Sequence, residues 1–382
     1  MGLANIKNFS DLKTRFNEAR KTTGKSFAQL VIDSIRFRYG KTGISFSEFF
    51  GYKLYDDKAL SKIQLDSFVS ASASKQIWNK LNPRKFWGVV VDKVTFQLAM
   101  ERMGFAQPKL LALYSKTGRS VPGVCALHDL EQIEEFLTKK QVFPIFAKPV
   151  NSYRSFGSIG IESVDSGNAT VCLQNDEEIP ISKLLQTFSE WNEYLFQARM
   201  DPHESLVDIS GSSISTIRMV VLFKKNGPEL FRVVWKIPKK ENMADNFWRL
   251  GNLAAQIDPK DGQVYSLIQS SDAGYVELAA DSLLGKRFLS SSPPMFAEAT
   301  ELVLKASRAY SMFSYQAWDI ALTQAGPVAL ELNHNGDIEM LQVGARMGIL
   351  DGQFSELLRQ KKLCLRNTRR WFAVGKTKSH KA

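Results

Sequence analysis

Two short runs near the C-terminal end of the sequence restrict the fold of this chain more than any other feature. Residues 318–323 read WDIALT and residues 328–333 read VALELN, so apolar and polar side chains alternate in both runs. Residues 324–327, which read QAGP, lie between them. Alternating runs on either side of a Gly-Pro turn predict a β-hairpin, and we expect a five-residue loop over 323–327 to set its register.

This hairpin brings three oxygen-bearing side chains together. In the expected register Asp319 pairs with Glu331 and Asn333 lies on the diagonal, with Ala329 on the same face as Glu331. A slip of one residue would break this arrangement. Two carboxylates and an amide oxygen suit Mg²⁺, which keeps several waters and takes further ligands from substrate phosphates. The alternative is a surface hairpin whose acidic side chains are merely solvated.

The spacing of these three residues resembles the metal-binding end of the ATP-grasp superfamily. In that superfamily an acid on one strand, and an acid-x-Asn about a dozen residues later, hold the magnesium bound to ATP. The resemblance runs from about Phe46 to Phe354 and is strongest for the sugar-transfer associated, or α-L-glutamate ligase-like, branch. It implies a mixed α/β (α+β) fold in which two α+β lobes clamp ATP, with Mg²⁺ held by Asp319, Glu331 and Asn333.

Composition is compatible with such a protein. The chain has 382 residues, 44% of them hydrophobic, and can bury a core large enough for two or three lobes. Its formal net charge of +11 favours anionic partners such as nucleotides, acidic glycans, nucleic acid or a membrane surface. Cys125, Cys172 and Cys364 are too few and too scattered for a disulfide framework or a zinc cluster. Because the sequence shows neither a secretory signal nor a membrane-spanning apolar run, we expect a cytoplasmic protein.

The sequence predicts five segments. They are a mostly helical region over 1–85, a first α/β subdomain over 86–140, a small lid lobe over 141–204, a large lobe with the metal hairpin over 205–355, and a basic tail over 356–382. No chemistry is assigned to the helical region. The tail offers a weak contact with anionic surfaces, but no nucleic-acid-binding motif accompanies it, so no specific nucleic-acid partner is expected.

Two lysines match the superfamily's phosphate-binding positions. Lys93 follows Asp92 at the start of a predicted helix that runs to Met103, and Lys148 lies in the apolar strand 142–150. A lysine in an apolar strand needs an anion near its ammonium, and ATP would supply one. The alternatives are an ordinary helix-surface lysine for Lys93 and an edge-strand lysine that reaches solvent for Lys148.

Three further segments match the superfamily's nucleotide site by position. Residues 151–160 correspond to its glycine-rich lid, where Gly157 would let backbone N–H groups approach phosphate; a solvated loop is the alternative. Residues 194–199, which read YLFQAR, correspond to the hinge, where the backbone of Gln197 and Ala198 would read the adenine edge. Glu204 has the spacing of the acid on the ribose hydroxyls, with Asp201 and Asp208 as alternatives.

Two motifs resemble the branch itself. Residues 213–221, SISTIRMVV, resemble its Ser-x-Asn-Thr-x-Arg strand with Ser215 in place of Asn, and residues 245–252, DNFWRLGN, resemble its Asp-Asn-Phe-x-x-Gly-Gly segment with Asn252 departing. The resemblance implies that Arg218 and Lys236 point into the cleft and neutralise the transferring phosphoryl group. The alternative is a pair of half-exposed sheet cations.

The reaction implied is ATP- and Mg²⁺-dependent joining of a carboxylate to an amine through an acyl phosphate, in the making or decoration of a cell-surface polysaccharide. Positioning and charge neutralisation carry such a reaction, so no side-chain nucleophile is required. Two other classes stay open: a phosphotransferase that uses the same ATP site on a hydroxyl, and a non-catalytic binder of polyanions. The sequence leaves the substrates and the oligomeric state undetermined.

Overall fold

The computed structural model describes residues 9–40, 42–58, 60–138, 142–272 and 274–363. Most of the predicted basic tail, from residue 364 onward, lies outside the described residues together with Cys364. No helix within the described ranges is long and apolar enough to cross a lipid bilayer. The described chain combines helices with two seven-stranded sheets, so the predicted mixed α+β fold is confirmed.

The described residues of the N-terminal region form helices. Its helices are α1 (Phe9–Thr23), α2 (Phe27–Arg38), α3 (Phe46–Gly51), α4 (Lys62–Asp66) and α5 (Ala71–Leu81). A capping box starts three of them: a serine accepts a hydrogen bond from the backbone three residues on, where a Gln or Glu side chain accepts one in return. The serines are Ser26, Ser45 and Ser61.

The first sheet joins the predicted ranges 86–140 and 141–204. After α6 (Gly88–Val91) and α7 (Lys93–Arg102), its elements are β1 (Leu110–Ser115), β2 (Cys125–Leu127), α8 (Leu130–Thr138), β3 (Ile145–Pro149), β4 (Ile159–Asp165), β5 (Thr170–Leu173), β6 (Glu178–Pro180), α9 (Ile181–Ser189) and β7 (Glu193–Ala198). The strand order is β2-β1-β7-β3-β4-β5-β6. Because strands from both ranges share one sheet, the separation of these ranges at residue 140 does not coincide with a break in the sheet.

The second sheet is antiparallel and lies in the predicted large lobe, in the order β12-β11-β10-β9-β8-β13-β14. Its elements are α10 (Val207–Ser210), β8 (Thr216–Lys224), β9 (Gly227–Ile237), β10 (Leu253–Ile257), β11 (Val264–Ser271), β12 (Gly274–Glu277), α11 (Leu283–Phe288), α12 (Phe296–Ala309), β13 (Tyr315–Thr323), β14 (Gly326–Asn333), α13 (Ile338–Val343) and α14 (Gly352–Gln360).

The two faces of this second sheet pack against different parts of the chain. On one face Met219, Trp235 and Trp318 pack in a core with α12. On the other face Val220 and Tyr315 pack in a core that includes the N-terminal helices. Because side chains alternate along a strand, residues further along this second face, past the edge of the helices, are left to line a cleft.

Asn82 fastens the N-terminal region to this second face. It follows α5 and is fully buried. Its Nδ2 donates hydrogen bonds to the carbonyl oxygens of Tyr315 (2.7 Å) and His334 (2.5 Å), and its Oδ1 accepts one from the backbone N–H of Tyr315 (3.1 Å). One side chain therefore holds the end of α5 against β13 and the loop that follows β14.

The predicted hairpin is formed by β13 and β14, and Asp319 pairs with Glu331 as predicted. The origin of this register differs from the prediction. Thr323 pairs with Gly326, so the turn has two residues rather than five, and a bulge at Leu330 supplies the extra residue. The bulge also corrects the prediction for Ala329, which pairs with Ile320 in the buried core and does not share a face with Glu331.

Candidate active site

A cleft of about 610 Å³ lies between the two sheets. Its size is that of a typical small-molecule site. Nine of the eleven side chains or backbone positions that the sequence singled out line it: Lys93, Lys148, Gln197, Ala198, Arg218, Lys236, Asp319, Glu331 and Asn333. The structure therefore brings together residues that are up to 240 positions apart in the sequence.

Lys148 reaches the cleft because of the alternation along β3. Ile145 and Ala147 pack on the helix-covered side of the first sheet, whereas Phe146 and Lys148 face the cleft. No described residue accepts a hydrogen bond from the Lys148 ammonium or forms an ion pair with it. Burial, together with the nearby charge of Lys93, lowers the pKa of Lys148 to about 8. Lys148 is thus a half-buried cation in the cleft that has no anionic partner among the described residues.

Lys93 lies beside it but has partners. It is the first residue of α7, whose N-cap is Asp92. Its ammonium donates hydrogen bonds to the carbonyl oxygens of Ser152 (2.8 Å) and Val150 (3.3 Å), at the start of the 151–158 loop. Burial lowers the pKa of Lys93, and the charge of Glu331 opposes that shift in part. Lys93 therefore holds the loop that covers this end of the cleft.

Arg119 fixes the position of Lys93 and was not found from the sequence. Its guanidinium forms a bidentate pair with Asp92 (2.6 and 2.9 Å) and a further contact with Glu193 at the start of β7 (3.3 Å). Asp92 at the same time accepts the backbone N–H of Thr95 (2.7 Å). Because Arg119 belongs to an irregular loop, no sequence pattern predicts that it clamps the start of α7 to the first sheet.

A buried charge network forms the floor of the cleft. Arg218 Nε and Nη2 donate to the two carboxylate oxygens of Asp319 (2.6 and 2.5 Å). Lys236 Nζ lies 3.4 Å from Asp319 and 3.1 Å from Asp245, which also accepts a hydrogen bond from Thr216. Burial alone would raise the pKa of Asp319, but Arg218 and Lys236 hold it well below its usual value. Asp319 is therefore ionised at any physiological pH.

Glu331 has the opposite shift. Burial and then the neighbouring charge of Asp319 raise its pKa. Asn333 Nδ2 donates to Glu331 Oε1 (2.8 Å), which orients the amide oxygen of Asn333 away from that contact. Within the described ranges no group of three or more His, Cys, Asp or Glu is placed to hold a metal ion. The candidate ligands are thus two carboxylates and an amide, and a divalent cation there would relieve the repulsion that raises the pKa of Glu331.

The hinge differs in detail from the prediction. Gln197 and Ala198 line the cleft at the end of β7, but the backbone N–H of Ala198 donates to the carbonyl of Lys109 (2.9 Å) and that of Arg199 to Pro144 (3.1 Å). The backbone N–H groups of Ala198 and Arg199 are therefore not free to donate a hydrogen bond to a nucleobase. In the part of the chain that the structure describes, no acceptor contacts the N–H of Met200, which also lines the cleft.

Two of the eleven predicted residues do not line the cleft. Gly157 has φ +77°, and a Cβ there would lie 2.8 Å from Pro149 Cγ and 3.1 Å from Trp191, so close packing on the first sheet requires the glycine. The neighbouring serines Ser152, Ser155 and Ser158 line the cleft instead. Glu204 is exposed in a short 3₁₀ helix, Glu204–Leu206.

The position of Glu204 has a simple cause. The segment before it pairs with β13 through an isolated bridge between Pro202 and Thr323, and the N–H of His203 donates to the carbonyl of Leu322 (3.0 Å). These contacts attach the segment to the turn end of the hairpin. Asp319 lies four residues away from Thr323 along β13. The segment that carries Glu204 is therefore attached at the turn end of the hairpin, and Glu204 does not line the cleft.

The N-terminal region also lines the cleft, although no chemistry was assigned to it. Ala71, Ser74, Lys75, Trp78 and Asn79 of α5 all face the cleft. They recur at the spacing of one helical face, which is the signal that could have revealed them. The fold and the site together define an ATP-grasp protein, with two α+β lobes around a cleft that carries cations on one side and an acid-x-Asn hairpin on the other.

Comparison with known families agrees with this class. Residues 72–354 match the family model described as sugar-transfer associated ATP-grasp. The chain belongs to this family, and the predicted ATP-grasp fold is confirmed.

Three solved structures to which the chain is similar are ligases. D-alanine–D-alanine ligase from Bacillus anthracis is 16% identical, with 72% of this chain and 69% of that chain covered and a TM-score of 0.38. The ligase PsnB in complex with its minimal precursor is 14% identical, with 73% and 63% covered and a TM-score of 0.37. L-amino acid ligase from Bacillus licheniformis is 10% identical, with 65% and 41% covered and a TM-score of 0.32.

The match thus spans less than two thirds of the length of PsnB and of the L-amino acid ligase. A search of curated protein sequences returned no significant match.

Proposed function

We propose that this protein is an ATP- and Mg²⁺-dependent ligase that joins a carboxylate to an amine through an acyl phosphate, in the making or decoration of a cell-surface polysaccharide. The observation that supports the proposal is Lys148, a half-buried cation without a partner among the described residues, in the same cleft as Glu331 and Asn333. Membership of the sugar-transfer associated family supports the polysaccharide context.

The donor set fits the two groups that this function needs. In this proposal Lys148 and Lys93 bind phosphate oxygens, and the carboxylate and amide oxygens of Glu331, Asn333 and Asp319 are ligands that Mg²⁺ prefers. When bound, Mg²⁺ supplies positive charge next to the transferring phosphoryl group. Arg218 and Lys236 add fixed positive charge from the floor of the cleft.

The proposed reaction has two steps. A carboxylate oxygen of the first substrate forms a bond to the γ-phosphorus of ATP while the bond to ADP breaks, which gives an acyl phosphate. The nitrogen of the amine then bonds to the acyl carbon, inorganic phosphate leaves, and the nitrogen loses a proton. The side chains of the cleft hold the reactants in line and exclude water, which is how phosphoryl transfer is chiefly accelerated.

An ADP-release screen of uronic acids and amino acids against a panel of amines tests this proposal. We expect ADP release that requires both a carboxylate and an amine, and hydroxylamine should trap the acyl phosphate as a hydroxamate. Release that needs only a hydroxyl acceptor would indicate a phosphotransferase. Absence of any nucleotide affinity in calorimetry would remove the proposal altogether.

The pKa of Lys148 makes nucleotide affinity depend on pH. The ammonium form binds phosphate, so affinity for Mg²⁺-ATP should be constant well below pH 8 and fall above it, by at most about tenfold per pH unit. Isothermal titration calorimetry between pH 7 and 9.5 measures this, with proton uptake visible in buffers of different ionisation enthalpy. The Lys148→Met variant is the control, because the dependence assigned to this residue should disappear; a flat profile in the native protein would contradict the role of Lys148.

A further inference from the structure

The geometry points to a second binding site in the same cleft: the wall formed by α5 is the acceptor subsite and takes an acidic oligosaccharide. This inference rests on the proposed function, because it names the site of the substrate that receives the activated group. The cleft is also lined by α5, and none of the residues assigned to ATP or Mg²⁺ belongs to that helix.

The α5 wall is rigid. Asn82 fixes the end of the helix to β13, and Trp78 stacks on Tyr315 at a centroid distance of 4.0 Å. At the other end of the helix, Glu48 accepts a hydrogen bond from the backbone N–H of Ala71 (2.6 Å). A wall held at both ends can bind a ligand without the entropic cost of ordering itself.

The opposite wall directly follows the proposed metal ligands. His334 is the residue after Asn333, and its ring lies on Trp87 at 4.1 Å. Asp337 caps α13 and also accepts a hydrogen bond from Trp248 Nε1 (3.2 Å). A ligand between α5 and this loop would therefore lie next to the proposed metal ligands.

The side chains of this subsite suit a hydroxyl-rich anion. Trp248 is half-buried and presents an aromatic surface of the kind that packs on the C–H face of a sugar ring. Asn79 is half-buried and Lys75 is exposed, and neither contacts a hydrogen-bonding partner within the described residues. The amide can bind hydroxyl groups and the ammonium can bind a carboxylate. The formal net charge of +11 favours association of the chain with anions in general.

Fluorescence polarisation with end-labelled oligosaccharides tests the subsite. The full chain, loaded with Mg²⁺ and the non-hydrolysable ATP analogue AMPPNP, is titrated against oligogalacturonate, hyaluronan and alginate oligosaccharides, with maltotetraose as the neutral probe. We expect at least one acidic probe to bind, and maltotetraose to bind about tenfold more weakly or not at all. Lys75→Ala and Asn79→Ala should each weaken the acidic probe about tenfold, the loss of roughly 1.4 kcal/mol.

The controls separate this inference from the proposed function. Alanine is a strong helix former, so both substitutions keep α5 intact, and AMPPNP affinity should not change in either. Lys80→Ala removes a charge from the same helix at a position that does not line the cleft, and it should leave saccharide affinity unchanged.

Failure to bind any acidic saccharide, or equal weakening by Lys80→Ala, would overturn the subsite even if AMPPNP binds normally. If AMPPNP does not bind but the acidic probe binds and responds to Lys75 and Asn79, the subsite stands and the proposed function fails.

Discussion

Replacement of Glu331 by glutamine should lower Mg²⁺-dependent ADP release by about three orders of magnitude, because phosphoryl transfer is accelerated chiefly by electrostatic stabilisation of the transition state. Glutamine keeps the shape of the side chain and can still accept the hydrogen bond from Asn333. It removes one negative charge from a site that must hold Mg²⁺ against the repulsion of a triphosphate. Steady-state ADP release over a Mg²⁺ titration measures the effect.

The folded protein should tolerate this change. Glu331 is half-buried, and desolvation together with the charge of Asp319 raises its pKa. A neutral side chain therefore relieves repulsion, and the melting temperature should stay the same or rise slightly. Glu339→Gln is the matched control: Glu339 is a buried acid that lines the same cleft from α13, and its loss should be much milder. Near-normal ADP release by Glu331→Gln would mean that the hairpin is structural, and the assignment of the active site would fail with it.

Replacement of Lys148 by methionine should have opposite effects on binding and on stability. Affinity for Mg²⁺-ATP should fall by roughly ten- to a hundredfold, since one charge-assisted contact is worth about 1.5–3 kcal/mol. The free protein should become more stable by up to about 3 kcal/mol, because burial and the charge of Lys93 lower the pKa from 10.5 to about 8 and each pKa unit corresponds to about 1.4 kcal/mol. At pH 7 the Lys148 side chain is mostly an ammonium ion in the folded protein, and folding removes part of its hydration. Methionine carries no charge and therefore does not have this cost.

Calorimetry gives the affinity, and thermal unfolding without nucleotide gives the stability. Lys93→Met is the informative comparison, because the Lys93 ammonium binds the carbonyl oxygens of Val150 and Ser152. Its loss should lower both ATP affinity and melting temperature. A Lys148→Met protein that melts earlier than the native one and binds ATP equally well would identify Lys148 as a structural residue.

Local patterns predicted the elements of the fold well. The alternation in residues 318–333 predicted the hairpin and the pairing of Asp319 with Glu331. The bulge at Leu330 could not be predicted in this way. A five-residue loop without a bulge and a two-residue turn followed by one bulged residue both pair Asp319 with Glu331. Only the packing of Ala329 into the core distinguishes them.

Contacts between distant segments could not be predicted in the same way. The pairing of Arg218 with Asp319 joins residues 101 positions apart, and the approach of α5 to the cleft depends on how the N-terminal helices dock on the second sheet. Gly157 and Glu204 were placed by their spacing from other motifs. Tight packing of Gly157 on Pro149, and the bridge between Pro202 and Thr323, decide where those segments lie, and neither contact has a signature in the sequence.

The attachment of Asn82 to Tyr315 has a consequence for the synthesis of the protein. The two residues are 233 positions apart, and a ribosome adds about 5–20 residues per second. The apolar side of the N-terminal helices therefore emerges roughly 10–50 seconds before the strand that covers it exists. During that interval the nascent chain exposes an apolar surface that can aggregate. The yield of folded protein in the cell should therefore depend on chaperones that act at the ribosome.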